Sequence, residues 1–368
     1  MTLLDRYIAR QYVTNIVVLF VILFCFVVTI DVSVNIDRFI EIAAQRAQEG
    51  LGHDTLLRRA AISVFLIADL WWPRLLQLYN YMLGLVLVGA MGFTCTQMVR
   101  HRELVAVLAS GRSLHRVARP IIAVAGVFIL LQAVNQEMIL PRLGDKLTRD
   151  HGDAGRRLLG AQRVPLIRDA GNRLFYARSF DADHALLKGL SIWERDEQGR
   201  VTRRIQSDEA RWDGDAWILR DSRVLGDDSA PPPVRIETNL DPTALKMHRY
   251  AGYQQSLSWR QIHQMLSRAG LVEGAMKERL DRVRYGRISM MLASLISLVI
   301  AMPFYLTRVP RNMVIQSLKG APVAIVTLLG AALSVSAIIP GLPAAVAVFI
   351  PVMVLLPIAI ASLASLET

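Results

Sequence analysis

Mostly apolar residues run for long enough to cross a bilayer, about 20 residues of helix, in six places: 11–30, 75–99, 117–140, 288–306, 321–339 and 344–366. The first follows Arg6 and Arg10 and has no small-residue cleavage site behind it, so it reads as a retained span. A weaker apolar approach, from Ala60 through Trp71 and Trp72, leads into the second. The turn Pro340-Gly341-Leu342-Pro343 stops one helix and restarts another, which makes a hairpin of the last two spans.

Between the third and fourth spans the period changes from helical to alternating. "NRLFYARSF" alternates and then turns at "DADH". "LLKGLSIWERDEQGRVTRRI" predicts two strands around Asp196-Glu197-Gln198-Gly199, and "ARWDGDAWILRDSRVL" predicts another pair around Asp213-Gly214-Asp215. "PPPVRIETNL" opens with prolines that suit an edge strand. Helix resumes at Ser258, which forms a capping box with Gln261, and a second helical stretch runs into the fourth span. The pattern predicts an α-helical membrane protein of six transmembrane helices, three plus three, with an inserted all-β domain built as a curved sheet, sandwich or jelly roll. The first transmembrane half covers 1–141, the β domain 142–257, and interfacial helices with the second half 258–368.

Composition agrees: 53% of the 368 residues are hydrophobic. Bases outnumber acids, 42 to 31, which in a membrane chain points to cytoplasmic loops and anionic lipid rather than nucleic acid. The loop at 100–119 holds Arg100, Arg102, Arg112, Arg116 and Arg119 against Glu103, and the loop at 307–319 holds Arg308, Arg311 and Lys319 with no acid. The loop after the first span mixes both signs. The positive-inside bias places both termini and the two basic loops in the cytoplasm and the β domain outside it. Cys25 and Cys95 lie inside apolar runs and suggest neither a disulfide framework nor a metal site.

Catalytic patterns are missing. The chain has no G-x-x-x-x-G-K-[ST], G-x-S-x-G, H-E-x-x-H or C-x-x-C, and its seven histidines are scattered. No catalytic residue, metal site or cofactor is expected. Asp31 and Asp69 are read as acids near the external interface, with an intramembrane role in ion coupling as the alternative. Arg279, Arg282, Arg284 and Arg287 stand just before the fourth span, where they either snorkel to anchor the helix or meet an anionic lipid headgroup. In the β domain, inward strand positions such as Tyr176 and Ile192 either fill a core or line an open interior that holds a greasy ligand.

One loop needs its own explanation. In "HRELVAVLASGRSLHR", residues 101–116, Leu104, Val107, Leu108, Gly111 and Leu114 follow helical spacing. Glu103 favours the start of a helix at about 102–114 and Ser110-Gly111 its end. A cytoplasmic loop has no need of an apolar stripe unless it lies on the membrane surface or docks into a groove on a partner, where Glu103 would pair with a base. Docking suits a permease that lacks its own ATPase.

These residues resemble a known family. "LLDRYIARQY", "RELVAVLASGRS", a β domain between spans three and four, and "AMPFYL" in the fourth span are similar to the lipopolysaccharide export permeases, the LptF/LptG family, with Leu-Asp-Arg-Tyr leaning to the LptG half. The resemblance implies a heterodimer with a second such permease around a membrane cavity in the inner membrane. It also implies a cytoplasmic ABC ATPase dimer bound to the loop helices, and jelly-roll domains that hand lipopolysaccharide to periplasmic jelly-roll bridge proteins. ATPase coupling maps onto Glu103, Leu104, Leu108, Ser110 and Gly111, with Arg112 beside them, and the lateral gate onto 11–32 and 321–339. The family often has lysines at the outer end of the first span. Here "TIDVSVNIDRF" offers only Arg38 as a base, with Asp31 and Asp37, so either the substrate is differently charged or headgroup contacts fall to Arg279, Arg282, Arg284 and Arg287, with Arg38 a further candidate. The alternative is a membrane-anchored scaffold whose β domain binds a periplasmic partner without transport.

Overall fold

The computed structural model describes residues 3–49, 56–147, 162–169, 173–181, 184–196, 198–225, 231–238, 240–242, 245, 257–267, 274–307, 313–337 and 341–365. Six of its helical segments are long and apolar enough to cross a membrane: Leu3–Ile42, Ala60–Arg100, Leu114–Leu143, Lys277–Tyr305, Ile315–Ser336 and Ala344–Ala364. The chain is a multi-pass membrane protein.

Helices α1 (Leu3–Glu49) and α2 (Leu56–Arg100) are longer than the spans the sequence predicts. The 47 residues of α1 amount to about 70 Å of helix at 1.5 Å per residue, about twice the hydrocarbon thickness. The mixed-charge stretch after the first span is therefore largely helix rather than loop. Apolar residues at helical spacing explain it: Phe39 packs with Leu66 and Leu70 in a small core of its own, joined by Val32, Ile42, Ile62 and Ile67. At Asn35 the backbone leaves helical geometry (φ −112°, ψ 16°). The Asn35 carboxamide there donates back to the Asp31 carbonyl at 3.0 Å and to its carboxylate at 3.2 Å.

A short helix α3 (Glu103–Ala109) links α2 to α4 (Leu114–Val134). The third span does not stay α-helical to its end. A π-helical turn at Asn135–Ile139 and a 3-10 turn at Leu140–Leu143 follow, then α5 (Gly144–Leu147). After the β domain come α6 (Trp259–Ser267), α7 (Gly274–Tyr305) and α8 (Met313–Ser336). The last span is broken into α9 (Ala344–Ala347) and α10 (Ile350–Ala364). Pro351, in the first turn of α10, lacks the N–H that a continuous helix needs. Of the charged residues expected in the fifth-span loop, Lys319 lies within α8, while Arg308 and Arg311 fall outside the described residues.

Helices α2 and α7 form the centre of the bundle. In each, 61% of the most apolar window is buried, against 11% in α1, so α1 turns most of its apolar surface outward. Close approach at the centre depends on small residues, as membrane packing generally does. A Cβ on Gly84 would come within 2.7 Å of Ser294 Oγ and 2.8 Å of Leu328 Cδ2, and one on Gly286 within 2.8 Å of both Val335 methyls. Ser289 Oγ donates to the Val348 carbonyl at 2.8 Å, and Thr327 Oγ1 to Ser297 Oγ at 2.8 Å.

The β domain is an antiparallel meander in which each strand pairs with the next: β1 (Gln162–Asp169), β2 (Arg173–Asp181), β3 (Leu186–Arg195), β4 (Val201–Trp212), β5 (Ala216–Leu225) and β6 (Arg235–Glu237). Among the described residues these make one open sheet. The predicted hairpins pair as Glu194 with Arg203 and Trp212 with Trp217, and the proline-led segment supplies the short edge strand β6. One face carries the core, including Phe175, Leu190, Ile192, Ile205, Trp217 and Leu219. Trp217 is fully buried and its Nε1 donates to the Leu240 carbonyl at 2.9 Å.

Gly286→Leu would drive α7 from α8 at a cost of about 1–3 kcal/mol, and should lower the thermal midpoint of the detergent-purified protein. Gly126→Leu is the control, since a Cβ there meets nothing within 4 Å. Equal midpoints for the two variants would refute the close-packing account.

Candidate functional site

Helix α3 is held on one side and bare on the other. Left-handed backbone brackets it, with Arg102 at φ 60° before and Gly111 at φ 78° after. Its end is closed by the Gly111 N–H on the Leu108 carbonyl at 3.0 Å and by Ser110 Oγ on the Val107 carbonyl at 2.7 Å. The helix is shorter than the expected 102–114, because Gly111 ends it and Leu114 begins α4. The predicted stripe already has a partner within the chain. Leu104 and Leu114 are buried in the core shared by α1, α2 and α4, and Val107 and Leu108 pack partly against it. This corrects the expectation that a partner's groove buries the stripe: seven residues of helix have no stability of their own and take it from the spans. The exposed face is instead Val105, Ala106, Ala109, Ser110, Gly111 and Arg112.

Glu103 also has a partner within the chain. Its Oε1 accepts from Tyr7 Oη of α1 at 2.8 Å, while its Oε2 is buried with no hydrogen-bond partner among the described residues. Arg116, at the start of α4, lies 3.5 Å from Asp5. A polar ladder continues up the α1–α2 contact. Gln11 donates to Gln97 at 2.9 Å, Tyr12 to the Leu87 carbonyl at 2.9 Å, and Asn15 to Thr94 at 2.8 Å. Interhelical bonds of this kind average only about 0.6 kcal/mol in a membrane, so the ladder fixes register more than it adds stability.

At the β-domain end the candidate headgroup arginines do not form one patch. Arg282 is buried and is bound to Glu278 at 2.7 Å and to the Ala337 carbonyl. Arg284 stacks 4.1 Å over Trp259 and 5.4 Å from Tyr285. Arg287 bonds Glu137 at 3.1 Å. Arg279 and Arg38 are exposed. Two of the four cluster members are thus tied by carboxylates and a third by aromatic rings, which leaves Arg279 of the cluster, with Arg38, turned to the surroundings. Asp31 accepts from Trp71 Nε1 at 3.0 Å as well as from Asn35, so it fastens α1 to α2.

Glu137, in the π-helical turn, joins three elements. Besides Arg287 of α7 it accepts from the Trp259 backbone N–H at 2.7 Å, at the start of α6. There the capping box is complete, with Gln261 N–H on Ser258 Oγ at 3.2 Å and Ser258 N–H on Gln261 Oε1 at 2.8 Å. Nearby, Asn80 Nδ2 donates to Gln136 at 2.5 Å, Asn135 to the Leu76 carbonyl at 2.8 Å, and Gln132 to the Asn80 carbonyl at 2.8 Å. The signal for these groups is "LQAVNQEM", four polar residues closing an apolar run, and intramembrane polar residues deserve a partner search.

In the β domain Ile192 is 1% exposed and pairs with Phe175 on the core face. Tyr176, one residue along β2, lies on the opposite face at partial exposure, with its ring 6.4 Å from Trp193. Arg204 covers that Trp193 ring at 5.0 Å. The two positions expected to point inward together do not share a face, because side chains alternate along a strand.

A search of curated proteins finds no match to this chain. The family model described as lipopolysaccharide export system permease LptF/LptG matches residues 55–365, that is, everything from α2 to the last span, while the opening "LLDRYIARQY" lies ahead of the match and the two permease types are not told apart. With six spans, an inserted antiparallel sheet and this match over most of its length, the chain belongs to the LptF/LptG permease family.

Proposed function

We propose that this chain is one permease half of an ATP-driven exporter, which draws lipopolysaccharide from the outer leaflet of the inner membrane. It pairs with a second permease of the same family. Its β domain hands the lipid to periplasmic jelly-roll bridge proteins. Energy comes from a separate cytoplasmic ABC ATPase dimer, since the chain carries no phosphate-binding loop motif of its own. Loop charge supports termini and α3 in the cytoplasm and the β domain in the periplasm.

The observation that carries this reading is the two-sided build of α3. Leu104 and Leu114 seat it in the core of the spans, and Glu103 ties it to Tyr7. Its other face is bare, and Glu103 Oε2 still lacks a donor among the described residues. A partner Lys or Arg that shifts what covers Glu103 Oε2 would supply that donor in a charge-assisted bond. Such a handle passes a push from the ATPase to α1 and α4 rather than absorbing it. In the β domain, Ile192 lies on the face that lipid would use once it parts, and Tyr176 lies behind it.

Two outcomes are expected. Ala109→Asp, Glu103→Ala and Gly111→Pro should each reduce ATPase copurification and lipid-stimulated hydrolysis by about tenfold or more, with the thermal midpoint little changed by Ala109→Asp. Leu104→Ala should instead destabilise the membrane domain by about 2–5 kcal/mol. Full ATPase retention in all three docking variants sinks the coupling role. Photo-crosslinkers should capture glycolipid at Ile192 only while ATP is hydrolysed, and none at Tyr176. Capture at Tyr176 alone would put the lipid path on the opposite face.

A further inference from the structure

Where α2, α4, α7 and α8 meet at the β-domain end, the chain encloses a half-open cavity of about 230 Å³. That is smaller than the roughly 300–1,000 Å³ of pockets for whole drug-sized ligands, so it suits a headgroup rather than an entire lipid. Part of the lining is apolar, with Met290, Met291 and Leu140, and part is polar, with Asn80, Gln132, Gln136 and Arg287. Arg287 directly precedes the apolar run of the fourth span, which sets the cavity at the level of the membrane interface.

The polar part of the lining specifies chemistry. Arg287 is the single charged residue on the lining, and Glu137 balances it from 3.1 Å away, so the site has no net charge to offer an anion. Gln132 is 6% exposed. Its Nε2 donates to the Asn80 carbonyl, and its Oε1 is buried with no donor among the described residues. A buried acceptor of this kind carries a desolvation cost that a ligand N–H removes. A purely anionic head leaves Oε1 unanswered and opposes Glu137. A quaternary ammonium has no hydrogen to donate, and the one aromatic ring on the lining, Tyr81, makes no cage for it. A primary ammonium brings three donors, and a phosphate beside it can share the Arg287 guanidinium, which presents several donors in a fork.

We propose that this cavity binds the head of a zwitterionic phospholipid carrying a primary ammonium, with the ammonium on Gln132 Oε1 and the phosphate on Arg287. The site stands apart from α3 and does not rest on the transport reading. Because the Glu137 that holds Arg287 also holds the first N–H of α6, the bound head sits beside the joint between the spans and the β domain.

The test is native mass spectrometry of the full-length protein after delipidation, with back-addition of phosphatidylethanolamine, phosphatidylcholine or phosphatidylglycerol bearing identical tails. Phosphatidylethanolamine should be retained about tenfold better than either of the others, the weight of one hydrogen bond to a charged group. Gln132→Leu should abolish that preference. Met291→Trp, which fills the cavity from the apolar part of its lining, should exclude the lipid while the thermal midpoint is kept. Equal retention of the three lipids, a preference for phosphatidylglycerol, or a preference that survives both substitutions would each overturn the proposal.

Discussion

Hydrocarbon offers no water to a polar group, so those carried into the bundle look for partners on their own helix or on a neighbouring one. Most of the contacts that define this protein follow from that constraint. Gln11, Tyr12 and Asn15 can occupy α1 because Gln97, the Leu87 carbonyl and Thr94 face them from α2. Ser289, Ser297 and Thr327 are tolerated at the centre because each reaches a carbonyl or hydroxyl across the contact. Slippage between α1 and α2 would break several of these pairs at once and strand their atoms in hydrocarbon. The individual bonds are weak, but as a set they define the register in which α1 and α2 move together.

The same constraint explains how one short helix can matter to a bundle many times its size. α3 is too short to be stable alone, and it borrows its stability by inserting Leu104 into the core that contains Ile8, Tyr12, Met98 and Val117. Tyr7 of α1 bonds Glu103 of α3, and Asp5 of α1 lies near Arg116 of α4, so the start of α1 is tied to both. α1 buries the least of its apolar surface, although its contact with α2 is held by several polar pairs.

Much of this was legible in the sequence. The spans, the β hairpins, the capping box at Ser258 and the short helix at Glu103 announce themselves through period and turn chemistry, which are local properties. What local pattern could not give was the assignment of partners. The stripe of α3 reads the same whether it packs on this chain or another, and only the fold shows Leu104 and Leu114 facing inward. Arg282, Arg284 and Arg287 read as one basic cluster, yet helical geometry turns them to Glu278, Trp259 and Glu137 respectively. Tyr176 and Ile192 both looked like core positions because each is apolar in an alternating run. Their relative facing depended on the β2–β3 register, in which Phe175, not Tyr176, stands opposite Ile192. The charged stretch beyond the first span hid a helical hairpin whose core of Phe39, Leu66 and Leu70 draws on residues about 30 positions apart.

The π-helical turn at Asn135–Ile139 brings several of these partnerships together. A π turn inserts an extra residue into a helix and is retained mostly where it re-aims a side chain. Here three successive polar residues take different directions. Asn135 reaches back to the Leu76 carbonyl, Gln136 accepts from Asn80, and Glu137 turns outward to Arg287 and the first N–H of α6. An uninterrupted α-helix would space the three side chains about 100° apart and would continue the apolar face of α4 past Val134. With the turn in place, one element satisfies the polar groups of α2, balances the charge entering α7 and caps the helix that returns from the β domain. The end of the third span is thereby bonded to both α6 and α7, and a change in the packing of α2 against α7 has a direct route to the start of α6.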